Sequence, residues 1–414
     1  ENKIDREQRV KKAGFWEIGP IEIDDTDPSK NWSITAATYN WCKGSGTWED
    51  PYIIENITID GQNLYNCIRI DNSNVYFTIR NCTLINGVGE YWHSGGIRLE
   101  NVSNGKLLNN DCSFNQQGIY LLNSNNNTLS GNTANNNTIH GIVFWDQCDN
   151  TKIIGNTACF NHQGIKIDSY TPYYNGNNLV INNNASYNLD AGIVISDNNN
   201  TEILNNNAIN NGVGVIGVGI GVHLSRNITI SFNHVQGNGY GIEVYNDTNC
   251  KIINNTAISN NGLEGTGINI EFGTKLYISD NNVSLSTYGG IMLKNTYNNT
   301  VSENTVINNY WGIYLCYTNN NTVLRNIVKE NYIGIYLRES NYNNVSGNIL
   351  IGNDECITEF ECEGNIFENN DCGPDNNNPI IPGYNFFLIF GVINVIIIIL
   401  NKKIRKKSFI LKRI

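Results

Sequence analysis

Charged and aromatic side chains recur at fixed offsets between residues 96 and 168. They stand two and four positions after a repeated glycine–aliphatic pair. Aromatic faces beside carboxylates and cations suit the stacking of sugar rings and hydrogen bonding to sugar hydroxyls. The alternative is a mixed, solvated surface whose aromatic residues fill space under loops. The predicted carbohydrate-binding residues are Arg98, Glu100, Tyr120, Trp145, Lys166 and Asp168.

Some coils in this region are longer than the others. We expect their extra residues to form two loops that border this surface. Their sequences are "EYWHSG" and "SYTPYYNG". The aromatic and imidazole residues that they bring are Tyr91, Trp92, His93, Tyr170, Tyr173 and Tyr174.

The same region offers the groups that a polysaccharide lyase or hydrolase needs, namely carboxylates beside a base. Lys166 would act as base or charge partner, Asp168 and Asp190 would supply carboxylates, and His162 lies nearby in the sequence. The paired-aspartate and Gly-His-Gly signatures of polygalacturonases are not matched residue for residue. These four positions are therefore weak catalytic candidates.

A repeat in the sequence predicts the secondary structure that positions these residues. "GIYLLNSNNNTLSGN" at 118–132 returns as "GIYLCYTNNNTVLRN" at 312–326, and comparable starts recur mostly every 22 or 23 residues. Within each unit the apolar residues alternate, as in Ile119 and Leu121, which is the period of a β-strand. A second short apolar pattern follows in each unit, as in Leu129 and Ala134.

Each unit is therefore predicted to form one coil of three short strands, which pairs in parallel with the coils before and after it. The fold class is all-β: a right-handed parallel β-helix of about thirteen coils, followed by one C-terminal transmembrane helix. At about 4.8 Å per coil the rod is roughly 60 Å long.

Asparagine recurs at the bends of the coils. It tolerates left-handed backbone geometry, and its amide can bond to backbone or to the equivalent asparagine one coil away. The predicted structural ladder consists of Asn132, Asn156, Asn255, Asn304, Asn326 and Asn348.

The sequence resembles the NosD-like right-handed β-helix proteins of the carbohydrate-binding and sugar-hydrolase (CASH) type. It is most similar to archaeal cell-surface versions, which combine "GSGTWEDPYIIENITIDG" with Asn-rich coils and a C-terminal anchor. The resemblance implies the fold. The NosD name also suggests copper as a ligand. Copper requires soft or imidazole ligands, whereas Met292 is the single methionine and the five histidines are spread over many coils. We predict no metal site and no cofactor, calcium being a possibility that no residue pattern supports.

The C-terminal end predicts a membrane anchor. Residues 380–400 read "IIPGYNFFLIFGVINVIIIIL", which is long and apolar enough to cross a bilayer, and "NKKIRKK" follows at once. The predicted division is a cap with the first strands at 1–60, β-helix repeats at 61–373, a linker at 374–381, the transmembrane helix at 382–401 and a basic cytoplasmic tail at 402–414. The "IPGY" stretch also resembles C-terminal sorting signals, in which case the tail would be cut off and replaced by a lipid.

These predictions place the repeat domain outside the cell, in contact with the lipid bilayer through its C-terminal helix. No signal peptide is visible before Glu1, so either a leader has been removed or the chain is a fragment. About fifteen Asn-x-Ser/Thr triplets make a glycoprotein possible.

The net charge limits the kinds of partner that the protein can bind, and the cysteine content limits its disulfides. The net charge is −11, and seven cations lie in the last thirteen residues, so the remainder carries −18 (−11 − 7). Such a body repels phosphate backbones, and nucleic acid is not an expected partner. The eleven cysteines are either buried apolar residues or include one or two disulfides near the ends; Cys356, Cys362 and Cys372 form the one cluster.

Three functions are open at this point. The first is a membrane-anchored extracellular protein that binds carbohydrate or other surface polymers. The second is a polysaccharide lyase or glycoside hydrolase that acts on an outward sheet face. The third is a non-binding structural or adhesion rod of the cell envelope.

Overall fold

The computed structural model describes residues 16–89, 93–169, 175–212, 217–373 and 381–382. These residues form a parallel β-solenoid in which each coil contributes a strand to each of two long sheets and a strand or a bridge to a third. Thirteen coils begin with the sheet-1 strands from Ile68–Ser73 to Glu355–Phe360. The all-β parallel solenoid predicted from the repeat is confirmed.

Sheet 1 contains the longest strands, most of them six residues, and all of them pair in parallel. In order along the rod its strands are Ile21–Asp24, Ile68–Ser73, Gly95–Val102, Gln117–Leu122, His140–Trp145, Gln163–Asp168, Ala191–Ser196, Val218–His223, Tyr240–Tyr245, Thr266–Glu271, Gly289–Lys294, Trp311–Cys316, Ile333–Arg338, Glu355–Phe360 and Ile381–Pro382.

Sheet 2 consists of short strands that follow those of sheet 1. All pair in parallel except the first, which is antiparallel to the second. They are Cys42–Lys43, Tyr52–Glu55, Phe77–Arg80, Gly105–Leu108, Thr128–Ser130, Lys152–Ile154, Leu179–Ile181, Glu202–Leu204, Thr229–Ser231, Lys251–Ile253, Tyr277–Ser279, Thr300–Ser302, Thr322–Leu324, Asn344–Ser346 and Ile366–Glu368.

Sheet 3 completes each coil. Its two groups of strands are joined by single bridges through residues 111, 133, 157 and 184. The strands are Trp16–Ile18, Ile57–Asp60 and Thr83–Ile85, then Asn207–Ile209, His234–Gln236, Thr256–Ile258, Asn282–Ser284, Thr305–Ile307 and Ile327–Lys329. A further short pair, Asn175–Gly176 with Asn198–Asn199, lies at the corner between sheets 1 and 2.

The core is a continuous column of aliphatic side chains between the three sheets. Ile119, Leu121, Leu129 and Ala134 show the contribution of one coil, and each has 0% of its surface exposed. No coil is thick enough to bury these residues by itself, so the coils on either side must cover them. The alternation read from the sequence is therefore the alternation between core and exterior.

At the bends, one residue adopts the left-handed backbone conformation and the next one supplies the inward amide. At each bend after sheet 2 from coil to coil, one residue has a positive φ of about 50–66°, as at Asn109 and Gly131. The asparagine that follows it turns its amide inward. Left-handed geometry and amide bonding, which the sequence pattern attributed to one asparagine, thus belong to neighbouring positions.

The inward amides form an unbroken ladder along the rod. Asn132 donates through Nδ2 to Oδ1 of Asn156 at 2.9 Å and through its backbone N–H to the same oxygen at 2.8 Å. Its Nδ2 also donates to the carbonyl oxygen of Leu107. All six predicted asparagines lie in this ladder, whose twelve members are Asn110, Asn132, Asn156, Asn183, Asn206, Asn233, Asn255, Asn281, Asn304, Asn326, Asn348 and Asn370.

A second ladder lies at the bend after sheet 3, and the sequence reading missed it. Asn188 donates to Asn211 at 3.0 Å and Asn211 to Asn238 at 3.1 Å, as in the first ladder. Ser286 interrupts the series, although its backbone N–H still donates to Asn309. Each of these residues also follows one with positive φ.

The first coils contain the only helix in the described part of the chain, Trp32–Thr38. Asn31 caps it by accepting a hydrogen bond from the backbone N–H of Ile34 at 3.0 Å. Trp32 is 1% exposed and stacks on Tyr52, with ring centroids 5.1 Å apart. The helix thereby covers apolar side chains at the start of the core.

The other end carries a disulfide between Cys356 and Cys372, which joins the sheet-1 strand of the last coil to the end of the same coil. The other nine cysteines are free, and all but Cys362 are buried. No described helix has the length and apolarity to cross a bilayer. Apart from Pro382, the predicted transmembrane helix at 382–401 lies outside the described residues. The predicted tail at 402–414 and most of the predicted linker also lie outside them.

Replacing one member of the first ladder tests its contribution to stability. Asn206→Ala removes the acceptor of the Asn183 amide and one donor to Asn233. Because buried groups are left without partners, we expect a loss of about 2–4 kcal/mol in the free energy of unfolding, measured in urea. The exposed Asn282→Ala control should lose less than about 0.5 kcal/mol. Equal losses in the two variants would contradict a role for the amide ladder.

A buried carboxyl predicts a pH dependence of stability. Asp247 is 1% exposed, and burial raises its pKa to about 8, to which the nearby Asp197 carboxylate adds. The folded protein therefore holds this proton more tightly than the unfolded chain, so its stability falls as pH rises from about 4 to about 8. We expect Asp247→Asn to be more stable than the parent by a few kcal/mol at pH 9, and nearly equal to it at pH 4.

The measurement is thermal unfolding across that pH range. The exposed Asp280→Asn is the matched control and should show no such pH-dependent difference. A difference between parent and Asp247→Asn that is constant from pH 4 to pH 9 would contradict the proposed protonation.

Candidate functional site

The register of sheet 1 brings the predicted carbohydrate-binding residues onto one outward face. One row across four successive strands contains Arg98, Tyr120, Val143 and Lys166. A second row, two residues further along each strand, contains Glu100, Leu122, Trp145 and Asp168. Side chains in such rows are separated by one strand spacing, about 4.8 Å.

Lys166 links the charged and aromatic parts of this face. Its Nζ lies 3.0 Å from Oδ2 of Asp168 and 4.4 Å from the centroid of the Trp145 ring. Lys166 and Asp168 each keep less than a fifth of the side chain exposed. A largely buried ammonium that contacts both a carboxylate and an indole is held in place, and its contact also restrains the Trp145 ring.

Arg98 pairs with Glu100 on its own strand through Nη2 and Oε2. Its Nε is buried and has no hydrogen-bond acceptor among the described residues. The preceding coil repeats the arrangement, because Arg69 pairs with Asp71 at 2.7 Å and lies in register with Arg98. Burial raises the pKa of Asp71, and the Arg69 guanidinium partly offsets the rise.

These arginines line an open cleft of about 710 Å³ at the start of sheet 1. Its walls combine guanidinium, carboxylate, imidazole, hydroxyl and phenol groups. The residues that line it are Pro20, Ile21, Glu22, Leu64, Tyr65, Asn66, Arg69, Gly89, His93, Ser94 and Arg98. Its size matches pockets that hold small ligands.

Tyr120 lies beneath the surface between the cleft and Trp145. It is 1% exposed, and its ring centroid is 5.2 Å from that of His93. Beside it, Nδ1 of His140 lies 2.8 Å from Oε1 of Gln117. Burial, followed by the Lys166 charge, lowers the pKa of His140 to about 3, so its imidazole is neutral at physiological pH. Tyr120 therefore belongs to the outward row but is covered, so its ring is not accessible to a sugar.

The four catalytic candidates fall into two groups. Lys166 and Asp168 form one ion pair. Asp190 lies immediately before the next strand of sheet 1, and its Oδ2 accepts a hydrogen bond from Nε2 of Gln163 at 2.6 Å. The exposed His162 is joined to Asp190 through the backbone, its carbonyl accepting from the Asp190 N–H at 2.9 Å. Among the predicted wall residues, Tyr91, Trp92, Tyr170, Tyr173 and Tyr174 lie outside the described residues.

Sequence reasoning missed several outward groups. The cleft residues Glu22 and Tyr65 precede the regular repeats, and no periodic signal marks them. In later coils, the residues two and four positions after the glycine–aliphatic pair include Glu243 and Glu271. In the last coils they include residues of an aromatic cluster around Trp311. Applying the same offsets to the later coils would have found Tyr314 and Tyr336 in the cluster.

Two family descriptions match the sequence. Residues 33–220 match "Periplasmic copper-binding protein (NosD)", and residues 218–372 match "Right handed beta helix region". The two matches together extend from the first helix to the disulfide. No significant match is found among curated proteins.

Solved structures with a similar fold include a point mutant of the periplasmic alginate epimerase AlgG. It is 14% identical, with a TM-score of 0.51 over 85% of this chain and 84% of that chain. The Dettilon tailspike protein is 19% identical, with a TM-score of 0.42 over 64% and 57%. The Azotobacter vinelandii mannuronan C-5 epimerase AlgE6 A-module is 15% identical, with a TM-score of 0.37 over 78% and 84%. At these identities the likeness concerns the fold alone.

The donor set does not fit the copper that one description names. Histidine, methionine and thiolate are the ligands copper prefers, yet His140, His223 and His234 each face a glutamine or glutamate. Met292 packs among aromatic rings instead. Within the described ranges, no three His, Cys, Asp or Glu side chains are grouped so as to hold a metal ion.

Proposed function

Since the chain is a NosD-like right-handed parallel β-helix repeat protein, we propose that it binds carbohydrate along the outward face of sheet 1. The observation that carries this proposal is the continuity of the cleft with the face beyond it. Arg98 belongs to both, and Trp145, Lys166 and Asp168 extend the face by further coils. A sugar chain would thus meet an indole and paired charges in succession.

The chemistry of this face matches what sugar recognition requires. A pyranose presents an apolar face and a rim of hydroxyls, which need both donors and acceptors. The Lys166–Asp168 and Arg98–Glu100 pairs supply both at fixed positions. Because each cation is matched by a carboxylate, this part of the face is close to neutral and favours hydroxyl-rich ligands over highly charged ones.

We place this binding outside the cytoplasm. The matched family description is periplasmic, and the Cys356–Cys372 disulfide is a bond that persists in oxidising compartments. Anchoring through residues 382–401, glycosylation of the exposed triplets and contact with the bilayer remain parts of this proposal that rest on the sequence alone.

The test is incubation of the purified chain with a panel of polysaccharides, scoring retention and released products together. We expect retention without chain cleavage. Release of unsaturated or reducing ends that disappears in Lys166→Met or Asp168→Asn would instead assign a lyase or hydrolase. If the chain neither retains a polysaccharide nor releases products, the remaining function is that of a structural rod.

For a glycan that is retained, we expect Trp145→Ala to weaken binding roughly tenfold, which corresponds to one aromatic contact of about 1.4 kcal/mol. Isothermal titration calorimetry provides the dissociation constants. The matched control is Trp48→Ala, since Trp48 also lies under a lysine, with Lys106 Nζ 5.1 Å from its ring, but outside sheet 1. An equal effect of both substitutions would contradict binding at this face.

A further inference from the structure

A second polar cluster lies on the outward face of sheet 1, several coils beyond Lys166. Glu243 and Asn269 are in register on adjacent strands, and Glu271 lies two residues beyond Asn269. Between the two regions, Ala191, Val194 and Val218 pack with the Tyr240 ring. The outward residues further along these strands, Ser196 and His223, are polar. Four strand spacings, about 19 Å, separate Trp145 from the strand of Glu243, so this cluster is a distinct site.

Three carboxylates lie near this position and give it an excess of negative charge. Oε2 of Glu243 lies 3.2 Å from Nε2 of His223, and Oε1 of Glu271 lies 3.1 Å from Nζ of Lys294. Glu264 reaches in from a loop, where its Oε2 accepts a hydrogen bond from the Tyr240 hydroxyl at 3.2 Å. Lys294 is the one lysine or arginine in ion-pair contact with any of these carboxylates in the described ranges.

The effect of the carboxylates on Tyr240 shows that they act on a common space. Burial raises the pKa of the Tyr240 phenol, and Glu264, Glu243 and Glu271 raise it further. Each of the three therefore contributes to a negative potential at the same hydroxyl. A cation placed there would be attracted by all three.

Asn269 supplies an independent sign of a missing partner. Its side chain is only 3% exposed, and its Oδ1 is a buried acceptor with no hydrogen-bond donor among the described residues. It lies in register between Glu243 and Met292, and Met292 offers no N–H or O–H group. A buried amide oxygen without a donor costs about 1–3 kcal/mol, and a bound N–H group would remove that cost.

We propose that this cluster, named here the acidic subsite (Glu243, Glu264, Asn269 and Glu271), binds the primary ammonium group of an amino sugar. An ammonium carries one positive charge and three N–H donors. It would thus satisfy both the charge excess and the Asn269 oxygen. The identification of the ligand as a sugar rests on the proposed function, whereas the preference for an ammonium rests on the subsite alone.

Other ligands fit the subsite less well. A neutral sugar leaves the negative charge uncompensated. A calcium ion requires six to eight oxygen ligands around one point. The described carboxylates do not form such a group, because each points to a different partner.

The experiment compares two oligomers of the same sugar backbone that differ in whether the amino groups are free or acetylated. The purified chain is titrated calorimetrically with a β-1,4-linked glucosamine oligomer and with its fully N-acetylated form of equal length, at mildly acidic pH and low salt. We expect the aminated oligomer to bind at least tenfold more tightly. Glu271→Gln and Asn269→Leu should each reduce this ratio toward one.

The control is Glu303→Gln, which removes an exposed carboxylate paired with Arg325 outside sheet 1 and should leave the ratio unchanged. Thermal unfolding of each variant verifies that it is folded. Because Asn269→Leu removes an unpaired polar atom, it is expected to fold at least as well as the parent.

The outcomes separate the two proposals. An equal affinity for both oligomers, a ratio unaffected by Glu271→Gln, or a preference abolished by EDTA would overturn the ammonium site. A ratio that depends on Glu271 together with an affinity unaffected by Trp145→Ala would support the ammonium site and overturn the proposed glycan face. If neither oligomer binds, both proposals fail for these sugars, and the ammonium site is overturned.

Discussion

The whole molecule depends on one constraint: every coil must repeat the backbone path of the coil before it. Each coil leaves its backbone edge and its apolar residues unsatisfied, and the next coil satisfies both. The asparagine ladders extend this dependence to side chains. A ladder oxygen accepts from the backbone and from the amide of the preceding asparagine, as Asn156 does from Asn132. A displaced coil would therefore break hydrogen bonds on both sides of itself.

The same constraint frees the outward positions. Because the inward side chains and the bends hold the coil in place, the exposed outward residues are less constrained by the fold than the inward ones. Along sheet 1 they change from arginine–carboxylate pairs at Arg69 and Arg98, through an indole and a lysine, to a packed apolar cluster around Val194 and then to the acidic subsite. The last coils end in an aromatic cluster around Trp311 and Tyr314. One backbone repeat thus presents several chemically different surfaces in a fixed order along strands that are about 4.8 Å apart.

The fold was predictable from the sequence because its signals repeat. Alternation at Ile119 and Leu121 and asparagine at Asn132 each recur in many coils, so a chance pattern is excluded by repetition. The site was less predictable for the opposite reason. The rows containing Lys166 and Asp168 followed from alternation, but the cleft depends on Glu22 and Tyr65, which precede the regular repeats. The burial of Tyr120 depends on a loop residue, His93, whose position no periodicity indicates.

The most direct test of a glycan-binding face is hydroxyl-radical footprinting of aromatic side chains with and without a retained polysaccharide. Protection is predicted at Trp145 and at Tyr65 in the cleft, with no change at Trp48 or at the exposed Tyr342. Protection confined to aromatic residues at the bends, such as the stacked and exposed Phe160 and Tyr187, would contradict binding along sheet 1.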